Sequence, residues 1–577
     1  MRVSYSITLG VICLAIALAG QALGLGLKGS VYTNPVLAGW HSDPSCVYVA
    51  EKDTIFCVVS TFIAFPGLPI YATKDLQNWK HISNAFNRRS QIPSLAETTN
   101  QQGGIYAPTL RYHKGKFYLI VTFLGPEAKG LVFTTTDPYD NAAWSEPLEF
   151  AVRGIDPDIF WDDDGSVYVT SSDNQAIPHY SLDLETGATG PVTWLWNGTG
   201  GVYPEGPHLY RKDGYYYLMI AEGGTELNHA ETMARSRNRT GPWEPCPHNP
   251  ILTNRNTTQY FQTVGHADLF QDGAGHWWAV ALSTRSGPAW KNYPMGRETV
   301  LAPAVWPEGQ WPIIQHVRGR MWGPLPEPNK GSLVGVGIGA FAGAPDRVAF
   351  APGSTMPAHF MYWRFPKEEY YTISPPGHPH TLRLTPSKSN LTGTADFQPD
   401  DGITFVSRRQ TDTLFTYGVD VAFDPKVAGE EAGVTLFLTQ YQHVDLGIVL
   451  LGRDNGELSL SFRFRVEGRG NFDGVLPSAI VPVPKEWQGE PVRLEIQAVS
   501  DTEYVFSAAL AGKPGQKRTI GRANALLVSG DTGRFTGTLV GVYATSNGGA
   551  GSTEAYVSRW RYDGEGQKID DGVVVPS

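Results

Sequence analysis

DPSCVYVAEKDTIFCVVS, residues 43–60, is the first of five copies of one phrase, and its reading decides the fold. The other copies are APTLRYHKGKFYLIVTF from Ala107, DPDIFWDDDGSVYVTSS from Asp156, EGPHLYRKDGYYYLMIAE from Glu205 and HADLFQDGAGHWWAVALS from His266. Each is a short apolar strand, a polar turn with Gly or Asp, and a second strand rich in Tyr, Phe or Trp, which is the pattern of a hairpin. The leading residues stand 64, 49, 49 and 61 positions apart, room for one four-stranded sheet per copy. Such a period predicts a five-bladed β-propeller, in which the first strand of each blade lines the central axis. Residues that lead equivalent strands then converge on one rim. Asp43, Asp156, Glu205 and His266 are therefore expected to meet.

The rest of the chain agrees with an all-β class. Its 577 residues suggest two or three domains, and 64 Gly, 42 Pro and 12% aromatics against 18% charged residues leave little material for long helices. The repeats occupy about residues 28–330, and GPLPEPNKGSLVGVGIGAFAGAPDR then reads as a linker rich in Pro and Gly. Over residues 345–570 the texture changes to strands such as LFTYGVDVAF, GVTLFLTQYQ and LSLSFRFRV, joined by turns like RDNGEL. Many strands without intervening helices predict a β-sandwich of two antiparallel sheets.

The N-terminus carries a short basic start and the apolar run ITLGVICLAIALAG, so residues 1–24 read as a signal peptide of a secreted, extracellular protein. A signal anchor is the alternative; the run is short for a membrane span, and no second one follows. N-x-S/T sequons at Asn197, Asn238, Asn256 and Asn390 are candidate glycosylation sites. Cys46 and Cys57 flank the turn of the first hairpin, where a cross-strand disulfide or two buried thiols are both open; Cys246 has no evident partner. No clustered Cys/His spacing suggests zinc. A net charge of −10 without a basic cluster makes nucleic acid an improbable partner and fits an uncharged substrate.

Three of the five strand heads are acidic. Hydrolysis of a glycosidic bond with inversion needs a carboxylic acid for the leaving oxygen and a carboxylate for an attacking water, about 6.5–9.5 Å apart. A third acidic group nearby raises the proton affinity of the acid. Asp43, Asp156 and Glu205 are the candidates, against the alternative that the Asp-Pro pairs only cap turns. Asp158 and Asp162, Asp163 and Asp164 read as solvated turn residues.

NPVLAGWHSDPS, STFIAFPGLPIYATKDLQNW, GGIYAPTLRYHKGKFY, GIDPDIFWDDDG, YPEGPHLY, GHADLF and MGRETVLAPAVW, taken in order, resemble glycoside hydrolase family 43. SRRQ and RFTGTLVGVYA resemble the concanavalin-like sandwich behind the propeller in its xylosidase-type members. The resemblance implies that Asp43 is the general base, Asp156 the residue that tunes and orients the acid, and Glu205 the general acid. It places His266 beside a hydrated calcium or other ion in the channel, although chemistry needs no cofactor. It makes Arg297 a sugar contact, and it sends Phe535 from the sandwich toward the active face, where the alternative is an ordinary core phenylalanine.

Two departures bear on specificity. Ile63-Ala64 replaces a Glu-Trp pair found in many relatives, and Tyr106 stands where they carry Trp. Phe62 and Tyr106 remain as stacking faces for a pentose ring. The implied activity is release of α-L-arabinofuranose or β-D-xylose from arabinoxylan or xylo-oligosaccharides of the plant cell wall. The alternatives are a non-catalytic carbohydrate-binding propeller and an endo-arabinanase with an open groove.

Overall fold

The computed structural model describes residues 29–453, 456–468 and 476–577; the proposed signal peptide lies outside them. Each of the five phrases forms the two inner strands of its own four-stranded antiparallel sheet. The inner strands are Ser45–Val49, Gly104–His113, Ile155–Trp161, Glu205–Lys212 and Phe261–Gln271. Each touches the next in cyclic order, and the fifth returns to the first, so they close a ring. The ring is latched by Ser30–Thr33, which pairs antiparallel with Arg320–Gly323 beyond the fifth sheet. Asn34 locks this junction by donating from Nδ2 to the Leu301 carbonyl at 2.9 Å and accepting from the Leu301 N–H at Oδ1 at 2.9 Å. Among the described residues the helical elements are 3-10 turns of three to five residues.

Four of the five inner strands break register, and the first, Ser45–Val49, pairs without a shift. The shifts fall between Tyr106 and Thr109, Ile155 and Asp158, Glu205 and His208, and Gly265 and Asp268. In three of these the break contains an X-Pro pair, and Asp43-Pro44 precedes the first inner strand. Proline has no N–H for the ladder, so a bulge forms there. The head residues take up the twist with left-handed backbone: Asp43 at φ 52°, Asp156 at 55°, Gly206 at 55° and His266 at 50°. Below the bulge, residues two apart face the axis, as the strand period of two requires. The register therefore pairs Gly206, not Glu205, with Asp156, and Glu205 takes its position one residue earlier.

The second domain is a sandwich of a six-stranded and a nine-stranded sheet around a core that includes Tyr417, Trp560, Phe506, Val434 and Leu446. It does not hang from a free linker. Residues 338–342 run along the outer strand of the first blade, with backbone bonds from Ile338 to Ile82, Gly339 to His81 and Ala342 to Trp79 of 2.8–3.1 Å. Gly337 permits this approach, because a Cβ there would lie 2.6 Å from the Ile82 Cα.

The two domains also share a core. Ala64–Phe65 of the propeller pairs antiparallel with Tyr362–Trp363 of the sandwich. Trp40, Phe62, Ile63 and Ala64 pack in one cluster with Trp363, Phe405, Phe437 and Leu539. Trp363 meets Phe437 at 5.2 Å between ring centroids and donates from Nε1 to Gln101 Oε1 at 2.9 Å. Trp363→Ala should cost about 3–5 kcal/mol of stability, and chemical denaturation should show propeller and sandwich unfolding in one earlier transition. A change confined to the sandwich would contradict the shared core.

Candidate active site

The strand heads converge as their spacing predicts. Asp43, Asp156, Glu205 and His266 line one cavity of about 240 Å³, together with Phe62, Tyr106, Arg297 and Phe535. Asp43 is 4% exposed and held by two donors: Ser60 Oγ gives to Oδ2 at 2.6 Å and Arg297 Nη1 to Oδ1 at 3.3 Å. The second Arg297 nitrogen donates to Thr225 Oγ1 at 2.5 Å, so the guanidinium is fixed between two blades. Asp156 accepts the Gly206 N–H at 3.1 Å. That bond ties it to the backbone next to Glu205, so Asp156 sets where the neighbouring carboxyl stands.

The electrostatics separate the three acids. Burial pushes the Glu205 carboxyl up to about 7; the Asp43 and Glu226 charges add to the rise, and Arg297 opposes it. Asp156 is pushed well above the usual carboxylate range, first by burial and then by the charges of Glu205 and Asp43. Its neutral form is favoured for the same reason that two like charges in one site do not both ionise readily. Asp43 instead has an arginine and a hydroxyl on its two oxygens. One group poised to hold a proton near neutral pH thus shares a cavity with a carboxylate fixed by donors.

Aromatic rings form the wall. Phe535 enters from the sandwich, stacks on Phe62 at 5.9 Å, meets Tyr106 edge-on at 6.2 Å and lies 4.6 Å from the Arg297 guanidinium. Its N–H is taken by Gln102 Oε1 at 2.9 Å and its carbonyl accepts from Ser42 Oγ at 3.3 Å, so propeller side chains hold it in place. Phe535 is accordingly a lining residue and not part of the sandwich core. Ile63 and Ala64 are fully buried in the interdomain core and do not line the cavity. They belong to the packing between the domains, where Ala64 pairs with Trp363.

Two expectations need correction. Asp158 is no solvated turn residue: it is buried on the axis two residues below Asp156, with Arg111 Nη2 at 2.9 Å from Oδ1 and the Leu209 N–H on Oδ2 at 2.9 Å. Asp268 occupies the matching depth, bound by Arg111 Nη1 at 2.7 Å, Ser45 Oγ at 2.7 Å and the Tyr210 hydroxyl at 2.8 Å. Burial alone would raise Asp268, but Arg111 and His208 together overcome it and hold the group at about 2. Asp162 is likewise engaged, accepting from the Tyr216 hydroxyl at 2.8 Å and pairing with Arg211 and Arg239. Asp163 and Asp164 are exposed, as expected for turn residues.

The carboxylates near His266 do not form a calcium cage of their own: calcium takes 6–8 oxygen ligands, waters among them, while Asp43 is held by Ser60 and Arg297 and the acids beneath pair with Arg111. Among the described residues no group of three or more His, Cys, Asp or Glu is placed to hold a metal. Burial lowers the His266 imidazole to about 4, and its Nδ1 lies 3.9 Å from Asp43 Oδ1. The ring packs against Gly206, where a Cβ would press on it at 3.1 Å.

Tyr203, Gly224, Thr225, Glu226 and Arg534 also line the cavity and escaped the sequence reading. GGTE, residues 223–226, joins the second and third strands of the fourth blade, at the same end as the first strand's head. That placement follows from the antiparallel order, and it was the available signal. Cys46 and Cys57 face each other across the first hairpin and form a disulfide; Cys246 is buried and free. Asn197, Asn238 and Asn256 are exposed, whereas Asn390 is half-buried.

Residues 32–312 match the profile described as glycosyl hydrolases family 43, and residues 347–563 match the beta xylosidase C-terminal Concanavalin A-like domain. The non-reducing end alpha-L-arabinofuranosidase BoGH43B of Bacteroides ovatus is 36% identical over 536 residues, 92% of this chain and 94% of that one. The protein belongs to glycoside hydrolase family 43. A xylosidase/arabinosidase of Butyrivibrio fibrisolvens is 32% identical, covering 90% of this chain and 96% of the relative. Among solved structures, Bacteroides ovatus Xyloglucan PUL GH43B superposes with a TM-score of 0.80 at 34% identity, over 92% of this chain and 99% of that one. Xylan beta-1,4-xylosidase from Bacillus halodurans gives 0.79 at 27% identity, over 92% and 99%. The chain is a glycosidase with a family 43 propeller and a concanavalin-like sandwich.

Removing the Arg297 charge should raise Glu205 further, since that charge is the one opposing the shift. Infrared titration would follow the protonated-carboxyl band that disappears in Glu205→Gln: a midpoint near pH 7 in the parent protein, and a higher one in Arg297→Gln. A lower midpoint in the variant would contradict the assigned balance of charges.

Proposed function

We propose that this glycosidase is a secreted, exo-acting pentosidase that removes α-L-arabinofuranose or β-D-xylose from arabinoxylan or related oligosaccharides with inversion. The observation that carries the reading is the small cavity in which a carboxyl held near pH 7 and a donor-fixed carboxylate share an aromatic wall. Asp43 takes a proton from water as the water oxygen bonds to the anomeric carbon. Glu205 gives its proton to the glycosidic oxygen, which leaves with the electrons of the broken bond. Asp156 is the positioning residue: through the Gly206 N–H it holds the strand that carries Glu205, and a charge on it would raise Glu205. Tyr106 and Phe535 offer rings to the sugar and Arg297 offers donors to its hydroxyls, whereas Phe62, expected as a stacking face, is buried between Trp40 and Phe535 and backs the wall.

Phe535 favours exo over endo action. A sandwich residue stacked on a propeller residue closes one side of the pocket, so a chain running through it in both directions meets a wall. The names of the relatives agree, one specifying a non-reducing end and the other both pentose activities. A purely carbohydrate-binding propeller has no use for the cost of burying Asp156 beside two further acids. Secretion is supported by the apolar N-terminal run, the Cys46–Cys57 disulfide and three exposed sequons.

The test is release of pentose from the 4-nitrophenyl glycosides of both sugars and from arabinoxylan. kcat/KM should fall as pH rises through about 7, because the acid must carry its proton. Glu205→Gln should lower turnover of natural oligosaccharide by 10²–10⁴-fold, roughly the scale of general acid catalysis, abolish that alkaline limb, and spare activated aryl glycosides. No release from any substrate by the parent protein would favour the binding-protein reading.

A further inference from the structure

A second and larger cavity, about 430 Å³, opens between the domains on the far side of Trp40, lined by residues 33–36 of the latch, residues 340–346 of the connecting segment and the end of the strand Thr404–Arg409. The two adjacent arginines of that strand end differ sharply. Arg408 is fully employed: Nη1 binds Asp346 Oδ2 at 3.0 Å, Nη2 binds Thr411 Oγ1 at 2.8 Å, and Nε binds the Arg409 carbonyl at 3.0 Å. Arg409 is only 7% exposed, yet its Nε and one Nη have no acceptor, and among the described residues no carboxylate pairs with it. Its guanidinium lies 5.6 Å from the Trp40 ring.

The groups around Arg409 offer no compensation. His41 accepts the Tyr71 hydroxyl at Nε2 at 2.7 Å, with Nδ1 on the Gly39 carbonyl at 3.3 Å. His81 Nε2 donates to Asn84 Oδ1 and the Ser83 carbonyl at 3.0 and 3.1 Å. Burial, with the Arg409 charge adding to it, lowers both imidazoles. Of the acids on the lining, Asp346 is taken by Arg408, His359 and Trp560, Asp412 by Thr411 and Gln567, and the terminal carboxylate of Ser577, which also lines the cavity, makes no ion pair with Arg409. A buried cation without a partner is strongly unfavourable, and an unsatisfied guanidinium beside a polar cavity marks a missing partner. The planar fork of arginine matches carboxylate and phosphate oxygens.

We propose that this interdomain cavity is a binding site for a small oxyanion, carboxylate or phosphate, received by the Arg409 guanidinium on its lining. The two sources of that chemistry are a sugar acid and free inorganic phosphate. The site is separate from the sugar pocket, and pentose release does not depend on Arg409.

Calorimetric titration of the full-length protein in a zwitterionic buffer, with sodium glucuronate and with inorganic phosphate in separate runs, tests the proposal. Saturable binding of about one equivalent is expected. Glucuronate alone identifies a sugar carboxylate, phosphate alone identifies the free ion, and both identify a general oxyanion site. Arg409→Gln should weaken the binding at least ten-fold while pentoside hydrolysis keeps its parent rate. Ala342→Trp, which adds bulk to the cavity from an exposed lining position, should do the same and covers the case in which the arginine variant fails to fold. No saturable binding of either anion by the parent protein, or undiminished binding in the variants, would overturn the proposal.

Discussion

The missing proline N–H at the heads of the inner strands is the constraint from which the site follows. A regular ladder would turn alternate side chains into the axis from the first residue onward. Ala107-Pro108, Asp156-Pro157 and Gly206-Pro207 interrupt it, Asp43-Pro44 stands just ahead of the first strand, and Asp43, Asp156 and Gly206 adopt left-handed backbone. Such strain persists where the surrounding structure holds it in place, and it clusters at functional sites. Here the hold is visible: Ser60 and Arg297 grip Asp43, and Gly206 grips Asp156. Glu205, one position ahead of its bulge, is the acid left free to face the cavity.

Charge compensation then divides the axis into two levels. Two residues below the rim, Asp158 and Asp268 both ion-pair with Arg111, so that level is structural. At the rim, three acids face a single arginine, and burial first, then their mutual repulsion, lifts Glu205 and Asp156. The same residue type thus does opposite work at two depths. The sandwich completes the arrangement by sending Phe535 over the rim, a contact that requires the shared core of Trp363, Phe437 and the buried Ile63-Ala64 pair.

Much of this was legible in the residues. The fivefold phrase has a local cause, because each hairpin is specified by its own turn and alternation, and the strand heads of a propeller must converge. What escaped was set by contacts between distant segments. Asp158 resembled a turn residue because its partner Arg111 lies in another blade, although the period of two already pointed it inward. The offset of Glu205 from its repeat mates depends on where the bulge falls, and the register alone reveals it. The role of Ile63 and Ala64 depends on a strand in the other domain, 298 residues from Ala64 to Tyr362. Calcium came with the family resemblance and not from the residues themselves.

The central claim is that Asp43 acts through water and not by bonding to the sugar. Proton NMR of the pentose in the first moments of hydrolysis tests it directly. The account predicts that the first-formed sugar has the anomeric configuration opposite to that of the substrate, with the other anomer appearing only through mutarotation. A first-formed sugar of retained configuration would contradict it.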